Sequence, residues 1–173
     1  MTMGAFTARH QLVLHAGMCE LVLPQLRTSR YYPVALEATH SVWSWIERGD
    51  ITGDTLNDLV WNDDDRGVMP PMTVEAERAR WNAWGCITDT VALAAFLAYT
   101  AEGAESVPEI LEMADSQETL DDFSQRFDAL FPGSEVLARI TAELRTMNPV
   151  QFTREGIRVV VQRIARECGV TLP

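Results

Sequence analysis

Histidine, cysteine and carboxylate side chains are the groups here whose types and spacing could do chemistry. His15 and Cys19 stand four residues apart, a spacing that puts two metal ligands on one helix face. A zinc site would need at least one more ligand, from His40 or Cys86 brought in by the fold. Neither Cys-x-x-Cys nor His-Glu-x-x-His accompanies the pair, and both residues lie on an apolar stripe. A core histidine beside a core cysteine is therefore the expectation, with no metal and no cofactor. For covalent catalysis no Gly-x-Ser-x-Gly elbow exists, and Pro132-Gly133-Ser134-Glu135 reads as a helix start. A Cys86–His40 pair stays open if both face the core, but nothing local would activate the thiol. The chain has no lysine, which excludes a P-loop lysine, a Schiff base and a lysine general base.

Asp89 is unusual because it lies in GCITDTVALAAF, the most apolar part of the chain. A carboxylate buried there must be paired, hydrogen-bonded or protonated. A catalytic acid or base is one reading. An ion pair crossing between helices is the preferred one, since no second catalytic group can be placed beside it from the sequence.

Residues 61–71 read WNDDDRGVMPP and invite a calcium reading. Counting an EF-hand loop from Asn62 puts Asp64 third and Gly67 sixth, as required. Arg66 then falls fifth and Thr73 twelfth, where oxygen ligands are needed. Counting from Asp63 puts Val68 where the glycine belongs. The EF-hand reading fails, and the proline pair marks a break in helical structure.

The remaining signal is charge. The net charge of −11 argues against nonspecific nucleic-acid binding, which needs basic side chains to displace counterions. Two blocks, 50–77 and 102–130, hold 17 of the 25 acidic residues, each with a single arginine. Such blocks are solvated faces or docking surfaces for a basic partner. Trp61 adjoins the first, where an exposed aromatic among carboxylates would serve as an anchor.

The elements that must position these residues are helical nearly throughout. Residues 8–24 place Leu12, His15, Cys19, Val22 and Leu23 on one stripe ending at Pro24. Residues 34–48 carry Leu36, His40, Trp43 and Ile46 inward, and Gly49 is a stop. A short helix is expected at 54–61, capped by Asp54. A long one is expected from Thr73 to about Thr100, with Trp81, Trp84, Thr88, Val91, Ala95 and Tyr99 on a stripe. Capping boxes at Ser106–Glu109 and Asp115–Glu118 open the next two, followed by helices at 134–147 and 153–168. The expectation is one all-α domain over 1–173, a bundle of about seven or eight helices around a central apolar helix. No unbroken apolar run nears a membrane span, and Cys19, Cys86 and Cys168 look like reduced core cysteines. A cytoplasmic protein with no membrane partner is expected.

The order of MCELVLPQL, SVWSWIE, an acidic connection, AWGCITDTVALAAFLAYT and EILEMADSQETLDDF resembles the all-α immunity proteins of bacterial polymorphic toxin systems, the sixth such class. It is also similar to a related group of helical bacterial proteins of unknown function. The resemblance covers roughly residues 8–130. It implies a non-enzymatic antidote that binds a cognate toxin domain and transfers no catalytic residues. Combined with the charge pattern, it points to an acidic surface facing a basic toxin cleft. The candidate contacts are Asp50, Asp54, Asp58, Trp61, Asp63, Asp64, Asp65 and Arg66. Two other readings stay open: a small enzyme around Asp89, and a housekeeping helical protein without a toxin partner. The oligomeric state is not encoded in any visible pattern.

Overall fold

A computed structural model describes residues 6–62, 66–149 and 152–170. These carry α1 (Ala8–Val22), α2 (Tyr32–Arg48), α3 (Gly53–Val60), α4 (Met69–Val74), α5 (Arg78–Glu102), α6 (Gln117–Leu130), α7 (Val136–Leu144) and α8 (Arg154–Glu167). Two 3-10 turns, Leu23–Leu26 and Glu109–Leu111, complete the order, and no strand occurs among the described residues. The fold is an all-α single domain.

The central helix is α5, against which α1, α2, α3, α4 and α6 all pack. Its most apolar window has mean hydropathy 1.2, enough by length and composition to cross a membrane, which inspection for unbroken apolar runs does not reveal. Yet 78% of that window is buried, so its apolarity is consumed by neighbouring helices. From Asn82 to Tyr99 every residue is buried except Asp89, Ala92, Phe96 and Leu97. Asp89, Ala92 and Phe96, with exposed Thr100 beyond them, recur every three or four residues and so form one narrow stripe that is less buried than the rest of the helix.

Specific contacts fix what flanks this stripe. Gly53 of α3 meets the Tyr99 ring so closely that an added Cβ would lie 2.7 Å from its Cγ. Arg126 of α6 pairs with Asp89. Farther round, Cys19 of α1 lies 3.2 Å from the Thr90 hydroxyl. Positions advance about 100° per residue, so Arg126 of α6, against Gly85 and Asp89, lies on the same face as Ala92 and Phe96, with α3 at Tyr99 to one side of it and α1 at Thr90 to the other. Phe123 and Phe127 are fully buried and hold α6 down, each worth roughly 1.5–3 kcal/mol.

Several boundaries differ from expectation, for local reasons. The long helix expected from Thr73 is two helices, because Glu75–Glu77 leaves helical geometry before α5 begins. The proline pair does not break α4 but starts it: Pro70 and Pro71 fall in the first turn, where the missing N–H groups need no partner. Thr52 rather than Asp54 caps α3, and Ser116 rather than Asp115 caps α6. The box at 106–109 yields a single 3-10 turn. On α2, Leu36 and His40 point outward, while Ala35, Ala38, Thr39, Val42, Trp43 and Ile46 are buried. Gly49 does end α2 in the left-handed region at φ 65°. Cys19 and Cys86 are buried, Cys168 is half-buried, and all three are free thiols.

Candidate partner-binding surface

The short helix α3 is amphipathic: Leu56 and Val60 are buried while Asp54 and Asp58, four residues apart, are exposed. The Thr52 side chain accepts from the Thr55 backbone N–H and so closes the first turn. The chain leaves α3 at Trp61 in extended geometry, and this side chain is 48% exposed. The Asn62 amide ties the exit down, donating to the Asp58 carbonyl at 3.0 Å and accepting from the Arg66 N–H at 2.9 Å. Gly67 then passes so close to the Val60 carbonyl that a Cβ would lie 2.7 Å from the oxygen. Asp63, Asp64 and Asp65 lie outside the described residues.

The candidate carboxylates differ in their surroundings. Asp50 accepts from Arg48 Nε at 2.6 Å, and this hydrogen bond lowers its pKa. Its charge is thus answered within the chain by Arg48. Asp54 accepts from the Tyr99 phenol at 2.5 Å. Asp58 lines a cleft of about 390 Å³ between α2 and α3, together with Glu37, Ser41, Thr55, Leu59, Asn62 and Arg66. The fold also joins the two acidic blocks: the Gly53 N–H donates to Glu102 Oε1 at 2.8 Å. Burial first, then Asp54 with Glu102 and Asp58 farther off, push the Tyr99 phenol up to about 12.

Charge counting along the chain misses Glu37 and Ser41, because Glu37 belongs to neither acidic block. It also misses Tyr99, whose role depends on a contact across 45 positions. Exposed Ile110 and Met113, at 45% and 57%, sit in the second block among Glu109, Glu112 and Asp115. The alternation of apolar and acidic residues at 109–115 was the available signal.

The other candidates lie apart from this surface. His15 is stacked on Phe123 with ring centroids 3.7 Å apart, and its Nε2 lies 2.8 Å from the Gln11 amide. Burial pulls its pKa down to about 3. No group of three His, Cys, Asp or Glu side chains suited to a metal occurs among the described residues. Cys86 is fully buried, its thiol pushed well up by burial, whereas His40 is exposed. The two therefore do not form a thiolate–imidazole pair. Asp89 is held by Arg126, which also reaches Asp122 at 3.2 Å and lies 5.5 Å from the centre of the Trp81 ring. Trp81 is half-buried rather than a core residue. Burial outweighs the arginine and raises the Asp89 carboxyl to about 6.

Neither a curated protein nor a solved structure gives a match to the chain. The family model described as Immunity protein Imm6 matches residues 10–130, from α1 to the end of α6. The last two helices lie beyond the match but continue the same core: a Cβ on Gly17 of α1 would lie 2.9 Å from Ile157 and 3.1 Å from Val161 of α8. With well over half of its length matched, the chain belongs to the Imm6 family, the immunity proteins of toxin systems.

Proposed function

We propose that this immunity protein neutralises a cognate toxin domain by binding it, without catalysis of its own, in the cytoplasm of the cell it protects. The observation that carries the reading is the junction of the two acidic blocks at Gly53–Glu102, beside the exposed carboxylates of α3 and exposed Trp61. In the complex, Asp54, Asp58 and Trp61 form the centre of the contact. Asp50 and Arg66 flank it, and Asp63, Asp64 and Asp65 are contacts proposed from the charge of the sequence alone. A basic toxin cleft is the complementary surface: carboxylates on α3 steer encounter, and a large exposed indole supplies apolar area at little entropic cost. The complex buries more than about 1,000 Å² in total. Ion pairing of Asp89 with Arg126 favours a structural role for that carboxylate over a catalytic one.

The test is co-expression with the polypeptide encoded immediately upstream, scoring growth and co-purification. Rescue of growth together with a stoichiometric complex is the expected result. Absence of both toxicity and a complex overturns the reading.

A further inference from the structure

The connection from α5 to α6 carries a period of three. Residues 109–115 read E-I-L-E-M-A-D: an acid, a large exposed apolar residue, then a buried one. The backbone has the same period. From the 3-10 turn Glu109–Leu111 onward, the N–H groups of Leu111, Glu112, Ala114 and Ser116 each donate to the carbonyl three residues back, at 2.8–3.2 Å. Positions i and i+3 lie over one another in such a run, so three ridges form. Leu111 and Ala114, 0% and 4% exposed, make the ridge turned into the protein, and the turn packs on α5. Ile110 and Met113, at 45% and 57%, make the second. Glu109, Glu112 and Asp115, all exposed, make the third. Burial accounts for the first ridge and hydration for the third, but the apolar second ridge has neither. No described ion pair involves Glu109, Glu112 or Asp115. The single arginine of their block, Arg126, is engaged by Asp89 and Asp122.

We infer that the Ile110–Met113 ridge is a second docking point for the toxin, covered by a basic segment that sets its lysines or arginines against Glu109, Glu112 and Asp115. Charge complementarity selects this occupant. A second copy of the chain would bring its own acid ridge against this one, at a net charge of −11. Long basic side chains fit both ridges, because their apolar stems lie along Ile110 and Met113 while their heads reach the carboxylates. The unbranched thioether of Met113 adapts to the contour of whatever covers it. Glu102, bonded to Gly53 at the start of α3, precedes Glu109 by seven residues, a span of at most about 25 Å. One toxin domain can therefore touch both α3 and this ridge. This rests on the toxin-binding reading above and adds to it a contact outside the α3 surface.

The test uses the full-length protein and the polypeptide encoded immediately upstream, with binding rates measured at two salt concentrations. The double variant Ile110→Ser, Met113→Ser changes exposed positions outside the core and should weaken binding at least tenfold, through faster dissociation. Glu112→Arg should slow association several-fold and flatten its salt dependence. Two controls lie on α8: Val159→Ser, at a side chain as exposed as Met113, and Glu155→Arg. Both should leave the rates unchanged. If the wild-type complex forms while the ridge variants stay within twofold of it, or Val159→Ser weakens it as much, the ridge is not the contact. A wild-type dimer in sedimentation that the double variant makes monomeric would identify a second copy as the occupant, and would also overturn the inference. In either case, weakening by Asp58→Arg or Trp61→Ala would still uphold the toxin-binding reading. If the wild-type protein forms no complex, that reading falls and this inference falls with it.

Discussion

The phenol of Tyr99 donates to Asp54 across 45 positions at 2.5 Å, and one residue away Gly53 donates its backbone N–H to Glu102. These two bonds fasten the first turn of α3 to the last turn of α5, so the acidic helix is presented rigidly. Removing the phenol oxygen with Tyr99→Phe should cost about 1 kcal/mol, read as a lower thermal midpoint. The raised phenol pKa means the native state favours the neutral form. That contribution is complete below about pH 10 and is lost as pH rises through about 12. Asp54→Asn keeps the acceptor but removes the charge, so the phenol titration followed by ultraviolet absorbance should move down from about 12.

Asp89 titrates in the opposite sense from a well-solvated paired carboxylate. Its folded value of about 6 exceeds its ordinary 3.8 because burial outweighs the Arg126 attraction. The stability it contributes is therefore complete below about pH 4 and lost as pH rises through about 6. Arg126→Gln removes the attracting cation and should raise the Asp89 midpoint further in a side-chain carboxyl NMR titration. A downward movement would show that the arginine does not hold it.

His15 should act with the reverse sign over an overlapping range. Its pKa falls from 6.5 to about 3 on burial against Phe123, so its contribution is present above pH 6.5 and lost as pH falls through about 3. His15→Phe should remove this part of the acid sensitivity. Chemical denaturation at pH 3.5, 5 and 7 would then show a smaller acid loss than wild type.

Gly17→Ala tests whether the helices beyond the family match belong to the core. The new Cβ would press on Ile157 and Val161, and overpacking of this kind costs about 1–3 kcal/mol. A reduced denaturant midpoint is expected. Hydrogen exchange should report faster opening of both α1 and α8, not of α8 alone.

For the toxin complex, Trp61→Ala should raise the dissociation rate, since it deletes an apolar anchor. Asp58→Arg should lower the association rate, most strongly at low salt. Surface plasmon resonance separates the two. Identical effects on both rate constants would argue against dividing the roles in this way.

The helical class, the single domain and the central position of α5 were all legible in the sequence, because burial of an apolar stripe is periodic and local. The same holds for the core placement of His15 and Cys19, and for the left-handed stop at Gly49. Local reasoning went wrong where the outcome depended on the exact turn. The Pro70–Pro71 pair was read as a break and proved to be a helix start, since proline is unfavourable within a helix but not in its first turn. Trp43 and Ile46 are buried as expected, but His40 was placed inward because four-residue spacing leaves a helix face uncertain by a residue, and α2 buries Thr39 instead.

What the sequence determined alone is composition along a line: two acidic blocks, an apolar segment between them, and no lysine. Whether those blocks meet was decided by tertiary structure. The meeting depends on Gly53 lacking a Cβ against Tyr99, and on Glu102 reaching a backbone N–H 49 positions away. The partner of Asp89 was likewise undetermined until α6 packed with Arg126 over α5. Pairing of this kind is a property of distance in space, and a helix period carries information only about which side of its own axis a residue faces.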